Sequence, residues 1–283
     1  MNRRAFTIAP VAAGLLAGWG ALSRATAQSS FKLQAPTALQ PTPQGWTFLA
    51  LADGNLAAVN RRGAAGKVEV HILDAGAGYQ RFAMQVETAM PAADDNFDFV
   101  ALPNRDIAGI HRGGAGGRTE IHVLDASKSY KAFRMQAPTA LPTTDRRWAF
   151  GADGDGNLVG VNRLGMSGKT EIHVVDADKK YARFKLQAES ALQASDSTWD
   201  FGVLANGDVM GINRRGESGK TEFHVLDAAK DYKRFKLQMP SPLAAADNEW
   251  KFAVRGNGDV MAVRTHGGAS GKTELHIMGS AKG

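Results

Sequence analysis

The stretch "SGKTEIHVVDA", residues 167 to 177, decides the fold, because close copies of it occur along the chain. The other four copies are "AGKVEVHILDA" (65–75), "GGRTEIHVLDA" (116–126), "SGKTEFHVLDA" (218–228) and "SGKTELHIMGS" (270–280). Their central glutamates are separated by 51, 51, 51 and 52 residues. A constant spacing of this size indicates a tandem array of structural units, and the units extend over residues 31 to 283.

The Gly-Lys-Thr at the start of the phrase has the composition of a phosphate-binding loop. Such a loop requires another glycine five residues before the Gly-Lys pair and a helix after it. Position 163 is Arg, and residues 170 to 176 alternate like a strand. The phrase therefore predicts a turn followed by a β-strand and gives no support to a nucleotide site.

Each unit contains four short segments that are typical of β-strands. In the third unit they are "WAFGA" from Trp148, "LVGVNR" from Leu158, "TEIHVVD" from Thr170 and "FKLQ" from Phe184. Gly-rich turns separate them, and a stretch such as "APTALPTTD" is predicted to link one unit to the next. Four antiparallel strands in about 50 residues are typical of a propeller blade. We therefore predict an all-β, five-bladed β-propeller of four-stranded antiparallel blades.

The phase of the repeat predicts how the ring closes. The fifth unit lacks an outer-strand segment after "TELHIMGSAKG", while an additional "FKLQ" stands at residues 31–34, before the first unit. We expect residues 31–34 to complete the last blade, because pairing the two ends of the array in one sheet removes an open strand edge.

The first 27 residues have the features of a cleaved export signal. Arg3 and Arg4 precede an apolar stretch, and Ala25-Thr26-Ala27 provides a small-x-small cleavage site. The paired arginines resemble the twin-arginine pattern, with an ordinary secretory signal as the alternative. The sequence predicts a single propeller over residues 28–283, located in the periplasm or secreted, and no later segment apolar enough to span a membrane.

Composition excludes several classes of partner and cofactor. The chain has no cysteine, so neither disulfides nor a Cys-ligated metal can stabilise it. The formal charge is +6, but Arg3, Arg4 and Arg24 belong to the predicted signal, which leaves +3. This surplus is too small to predict a nucleic-acid partner.

The third segment of every unit carries a glutamate and a histidine two residues apart. Side chains alternate along a strand, so Glu171 and His173 lie on the same face. Equivalent histidines on adjacent blades stand roughly 15 Å apart, whereas metal ligands lie about 2 Å from an ion. We therefore predict no metal and no cofactor, and a structural inter-blade role in satisfying buried polar groups. The set is Glu69, His71, Glu120, His122, Glu171, His173, Glu222, His224, Glu274 and His276.

Positions in the first segment, expected to line the central channel, differ between units. The residue between the two aromatics is Thr47, Asp98, Ala149, Asp200 or Lys251. Glycoside hydrolysis uses paired carboxylates, so the two aspartates are candidates for a catalytic pair. The alternative is that residues at solvent-filled channel positions vary without a functional role. The single "DGDGN" at residues 153–157 predicts a hairpin turn, with a calcium loop as the alternative.

The repeat consensus carries a family resemblance. The pattern "W-x-F…G-N-L-x-x-V-N-R-x-G-x-S-G-K-T-E-x-H-V-L-D-A…Y-x-x-F-x-L-Q" resembles tandem repeats attached to some secreted bacterial hydrolases. The five-unit plan with "W-x-F…DG-x-L" is similar to tachylectin-type propeller lectins, and Phe97 and Arg118 in the second unit depart from it. The tachylectin resemblance covers the array in architecture but only a few positions per unit. It implies binding of N-acetylated sugars at one pocket per blade.

The near-identity of the loops favours repeated binding over catalysis, since linked weak contacts multiply into avidity. We therefore predict a noncatalytic, lectin-like propeller, not an enzyme, that binds glycans or cell-surface carbohydrate at equivalent inter-blade sites. A structural or protein-interaction propeller is the alternative, and a glycoside-active enzyme using channel carboxylates is the third. The predicted ligand-binding donors are Asn60, Arg61, Lys67, Asn162, Arg163, Lys169, Asn213, Arg214 and Lys220.

Overall fold

The computed structural model describes residues 30–42, 44–266 and 270–279, and these residues form five sheets of four antiparallel strands. The first strands of consecutive blades contact one another around a closed ring. The predicted five-bladed β-propeller is thereby confirmed. The predicted export signal lies outside the described residues. No helix within the described ranges is long and apolar enough to cross a membrane.

The strands follow one plan in every blade, running from the central axis outward. Three short 3₁₀ helices, Ala75–Ala77, Ala126–Lys128 and Ala228–Lys230, lie between third and fourth strands. In chain order the strands are β1 (Phe31–Pro36), β2 (Trp46–Ala50), β3 (Leu56–Asn60), β4 (Lys67–Leu73), β5 (Phe82–Pro91), β6 (Phe97–Ala101), β7 (Ile107–His111), β8 (Arg118–Leu124), β9 (Phe133–Pro142), β10 (Trp148–Ala152), β11 (Leu158–Asn162), β12 (Lys169–Val175), β13 (Phe184–Gln193), β14 (Trp199–Val203), β15 (Val209–Asn213), β16 (Lys220–Leu226), β17 (Phe235–Ala244), β18 (Trp250–Val254), β19 (Val260–Arg264) and β20 (Glu274–Met278).

Apolar seams between neighbouring blades form the core. Strand residues alternate between faces, and both faces of a sheet are covered by the blades on either side. Between the first two blades, Val59 and Val70 pack in one cluster with Phe99 and Ile107. Similar clusters fill the other seams, so no blade buries its apolar faces without its neighbours.

The outer strands are longer than the sequence predicts. Residues of the "APTALP" type, interpreted above as a link between units, continue the fourth strand to Pro142 in the second blade. Pro138 pairs with Glu120 in the register, and the Thr139 hydroxyl donates to the Thr119 carbonyl at 2.8 Å. Proline suits this position because the fourth strand is an edge strand that needs few donors. The prolines therefore mark a strand edge and not a linker.

In blades one to four, a buried tyrosine before the fourth strand joins the blade to the preceding one in the ring. The Ala89 N–H of the first blade donates to the Tyr130 carbonyl of the second at 2.9 Å, and three other seams repeat this bond. Tyr130 has a positive φ of 61°, which is uncommon for a bulky side chain. Its hydroxyl donates to the Arg105 carbonyl at 3.0 Å, and burial raises its pKa to about 12. At the fifth seam the donor position is Pro242, which has no N–H.

Ring closure by the N-terminal strand is confirmed. Strand β1 pairs with β20 as the fourth strand of the last blade, and it extends to Pro36, two residues beyond the predicted 31–34. The Lys32 ammonium lies 2.7 Å from the carboxylate of Asp259, whose side chain is only 7% exposed. Lys236 and Asp208 form the same pair in the fourth blade at 2.8 Å. Lys32 and Asp259, which are far apart in sequence, thus form in the last blade the same ion pair that Lys236 and Asp208 form in the fourth.

Replacing Lys32 with methionine should lower the free energy of unfolding by about 1–2 kcal/mol, because the nearly buried Asp259 loses a charged donor. Lys185 is the matched control, because it occupies the same position in the third blade, opposite Asn157 instead of an aspartate. Lys185→Met should change stability by less than about 0.5 kcal/mol. Urea unfolding of both variants measures the difference, and equal losses would contradict the proposed role of the Lys32–Asp259 pair.

Candidate functional site

A cavity of about 440 Å³ lies on the central axis, surrounded by the first strands of all five blades. Most of its lining residues belong to β2, β6, β10, β14 and β18 or follow these strands directly. The charged side chains that reach it are Arg61, Asp98, Arg112, Arg146, Asp153, Arg163, Asp200 and Lys251. The cavity has the size of a small-molecule site and a small set of converging polar groups.

Four arginines connect the blades around this cavity. The Arg61 guanidinium lies 5.8 Å from the ring centroid of Phe99, in the next blade. Arg112 on Phe150, Arg163 on Phe201 and Arg214 on Phe252 repeat the contact at 5.2, 5.7 and 5.8 Å. Cation–π contacts of this kind add to seam packing. In the fifth blade the position is Thr265, so the set of arginines is interrupted where the ring closes.

Two aspartates of the first strands bind these arginines. Arg112 donates to Asp98 at 3.1 Å, and Arg214 donates to both carboxylate oxygens of Asp200, at 2.6 and 3.0 Å. Where the first strand carries Ala149 instead, Arg163 donates to the carbonyls of Arg146 and Trp199. The residue in the first strand thus determines what each arginine binds.

Burial affects the charged groups of the cavity. It lowers the pKa of Arg112 and Arg163, and nearby aspartates oppose this effect. Burial also lowers the pKa of Lys251; Arg214 and Arg61 add to the decrease, while Asp200 opposes it. A lysine with a lowered pKa gives up its proton more readily than an exposed one. Groups perturbed by burial and by charge are typical of functional sites.

The predicted ligand-binding donors separate into three environments. Arg61 and Arg163 line the cavity, and Arg214 binds Asp200 there. Asn60, Asn162 and Asn213 accept backbone N–H groups in the turns after their strands. Lys67 and Lys220 are exposed, while Lys169 lies 3.7 Å from Glu189. The structure therefore does not bring these three residue types together in one pocket, and their binding role stays a prediction.

The repeated glutamates and histidines make their hydrogen bonds within their own blades. Glu171 accepts the Met166 N–H of the preceding turn at 3.0 Å, and His173 pairs with Gln187 of the fourth strand at 3.1 Å. The His173 ring also lies 4.8 Å from Trp148. These contacts connect the first, third and fourth strands of one sheet. The predicted inter-blade role of the set stays a prediction.

The turn at residues 153–157 uses its own carboxylate. Asp153 Oδ1 accepts the N–H groups of Asp155 and Asn157 at 3.0 and 2.9 Å, and Oδ2 accepts the Asn157 side chain at 2.8 Å. These bonds are typical of an Asx-stabilised turn between two strands, which is the interpretation that the sequence favoured.

Arg112 and Arg146 are cavity residues that the predicted site omits. Arg112 stands 51 residues from both Arg61 and Arg163, so the repeat period alone would have identified it. The preceding residue is His111 where three other blades have asparagine, and this difference hides the match to the "NR" pattern. Arg146 has no such signal, because it lies in a turn before β10.

Comparisons with known proteins find similarity at the level of fold. No family model and no curated protein matches the chain. A solved endo-arabinase from Bacteroides thetaiotaomicron has a TM-score of 0.48 and 13% identity, over 90% of this chain and 98% of that one. An exo-beta-1,3-galactanase from Phanerochaete chrysosporium has a TM-score of 0.47 and 10% identity, over 87% of this chain and 64% of that one. An arabinanase from Bacillus subtilis has a TM-score of 0.44 and 10% identity, over 88% of this chain and 96% of that one.

These comparisons correct the predicted function. These three structures are named as an endo-arabinase, an exo-beta-1,3-galactanase and an arabinanase, and not as tachylectin-type lectins, so the tachylectin resemblance is supported for the five-bladed architecture alone. The predictions of a noncatalytic, lectin-like propeller and of no enzymatic activity are contradicted. At such low identity the likeness concerns the fold, and it transfers no residue to this chain.

Partly buried histidines should make the protein less stable in mild acid. Burial lowers the pKa of His122, His173, His224 and His276 below the ordinary 6.5, and their glutamate partners oppose this effect. The unfolded chain then binds protons that the folded chain resists, so the free energy of unfolding falls as pH drops below about 6.5. Urea unfolding at about pH 7.5 and about pH 5.5 measures this.

His173→Gln provides the control for this pH dependence, because the variant removes one of the four groups. Its loss of stability between the two pH values should be smaller than that of the unchanged protein. A stability that is constant or increases toward pH 5.5 would show that the buried histidines do not govern it.

Proposed function

We propose that the protein is a glycoside-active enzyme whose substrate binds in the central cavity. The observation that carries the proposal is that two carboxylates, Asp98 and Asp200, and the half-buried Lys251 line one cavity. Arg163 stands on the blade between the two aspartates, and both carboxylates act electrostatically on its guanidinium. The three groups come from blades two, four and five, so a bound sugar would contact several sides of the ring.

The chemistry assigns a role to each group. Glycoside hydrolysis passes through a transition state that resembles an oxocarbenium ion and uses a base and an acid on opposite sides of the bond. Asp98 takes a proton from the attacking water, and Lys251 gives a proton to the leaving oxygen as the bond to the anomeric carbon breaks. Asp200, held by Arg214 through both carboxylate oxygens, stabilises the positive charge and acts electrostatically on Lys251. The lowered pKa of Lys251 suits the role of acid.

Charge indicates the class of saccharide. Arg61, Arg112, Arg146, Arg163 and Lys251 line the cavity with three aspartates, so cations are in excess. A cavity with walls of one predominant sign concentrates ligands of the opposite sign. Acidic saccharides that contain uronates are therefore the favoured substrates, with neutral arabinans and β-1,3-galactans as the comparison.

Asp98→Asn and Asp200→Asn should each lower kcat by about 100-fold or more, because each removes a charge needed in the transition state. Release of reducing ends from a panel of uronate-containing polysaccharides, arabinan and β-1,3-galactan measures activity. Asp231→Asn is the control, since Asp231 is exposed in the turn between β16 and β17, does not line the cavity, and has a φ of 49° that asparagine tolerates. Asp231→Asn should keep full activity.

Two results would contradict this proposal. One is the absence of reducing ends from every polysaccharide in the panel when the protein is folded. The other is activity that survives in both Asp98→Asn and Asp200→Asn. Activity lost equally in Asp231→Asn would indicate general damage and not a role of the cavity.

We also propose that the protein is exported to the periplasm or secreted. Support comes from Arg3, Arg4, the apolar stretch and the Ala25-Thr26-Ala27 sequence. Replacing both arginines with lysine should leave the precursor in the cytoplasm if the signal depends on paired arginines. Cell fractionation followed by immunoblotting measures this, and continued export of the variant would favour an ordinary secretory signal.

A further inference from the structure

The second blade differs from the others at one cluster on the face toward the first blade. His111 ends β7 where blades one, three and four have Asn60, Asn162 and Asn213. It lies opposite Glu120 in the register, and His122 follows Glu120 on the same face. The repeated glutamate and histidine thereby gain a third potential ligand in this blade.

The three side chains converge. One ligand atom from each of His111, Glu120 and His122 lies within 4.8 Å of the others. No other such group occurs among the described residues. All three come from two adjacent strands of one sheet, so their relative positions are fixed by the β7–β8 ladder. The sequence-based objection to a metal concerned histidines on different blades, and it does not apply to a cluster within one blade.

Neighbouring groups hold the three side chains in place. The Ala115 N–H donates to Glu120 Oε1 at 3.0 Å, which leaves Oε2 directed at His122. Gln136 contacts His122 Nδ1 at 2.9 Å, and the buried Nε2 has no hydrogen-bond partner, as in His173 and His224; only in blade two does a further histidine, His111, stand beside it. Such second contacts orient imidazole and carboxylate ligands in metal sites.

Phe97 positions the additional histidine. The His111 and Phe97 rings are stacked with centroids 4.6 Å apart and an interplanar angle of 11°. The three equivalent first strands that face an asparagine begin with a larger tryptophan, at positions 46, 148 and 199. Two of the second blade's departures from the consensus, Phe97 and His111, therefore belong to the same cluster, while Arg118 lies outside it.

We propose that His111, Glu120 and His122 form a site for one zinc ion. Two imidazoles and one carboxylate are a ligand set that zinc takes in proteins, at about 2.0–2.2 Å from each donor, with water in the fourth position. The side chains rotate inward from their separations of up to 4.8 Å to reach these distances. This site lies in the seam between blades one and two, apart from the central cavity, and it is independent of the proposed glycoside chemistry.

Isothermal titration of untagged, chelator-treated protein with zinc sulfate tests the proposal. We expect one zinc ion per chain, together with an increase in Tm on addition of zinc. His111→Asn should weaken binding by about 100-fold or more, since it removes a direct ligand. This variant should fold normally, because asparagine occupies the same position in three other blades.

His122→Gln and His173→Gln form a matched pair. They change the same strand position in blades two and three, and only blade two has a histidine in place of the asparagine. His122→Gln should weaken zinc binding to a similar degree as His111→Asn, while His173→Gln should leave affinity and stoichiometry unchanged. Absence of binding to the unchanged protein, an unchanged affinity in His111→Asn, or an equal loss in His173→Gln would each overturn the proposal.

Discussion

The seam between consecutive blades is the interaction on which the rest of the structure depends. A four-stranded blade has two apolar faces, and each is buried only by the neighbouring blade. The hydrogen bond from the Ala89 N–H to the Tyr130 carbonyl joins the first blade to the second, and equivalent bonds occur at three other seams. At the fifth seam the position equivalent to Ala89 is Pro242, which has no N–H to donate, so this hydrogen bond is not formed there. A ring held this way also needs a complete last blade, which β1 provides.

The seams also determine what reaches the central cavity. Each of the four arginines lies on a phenylalanine of the next blade, so packing and charge are combined in one side chain. With the arginines fixed, the first-strand residue of each blade decides the local chemistry: Asp98 and Asp200 accept from them, while Ala149 leaves Arg163 to main-chain carbonyls. In four of the five blades an arginine at the same position therefore stands beside a first-strand residue that varies.

Much of the fold is predictable from the sequence, because a period of 51 residues and four strand-like segments define a blade. The outer strands are predicted less well, since proline near position 138 suggests a linker until the register shows an edge strand. The site is also predicted less well, because the sequence does not show which side chains point into the cavity. Arg61 and Asn60 are adjacent in sequence, but one lines the cavity and the other bonds within a turn, and no local pattern distinguishes these outcomes.

Near-identity of the repeats is a poor guide to function in a closed ring. The shared residues, such as the strand-three glutamates and histidines, satisfy requirements that every blade has in common, because each sheet must bond its turn and cover its neighbour. Chemistry that occurs once per molecule has to depend on positions where one blade differs. Lys251 among the first-strand residues and His111 beside Phe97 are such positions, and each adds one functional group to a frame that its blade already had. The proposed cavity chemistry and the proposed zinc site both depend on such departures from the repeat consensus, and neither depends on the consensus alone.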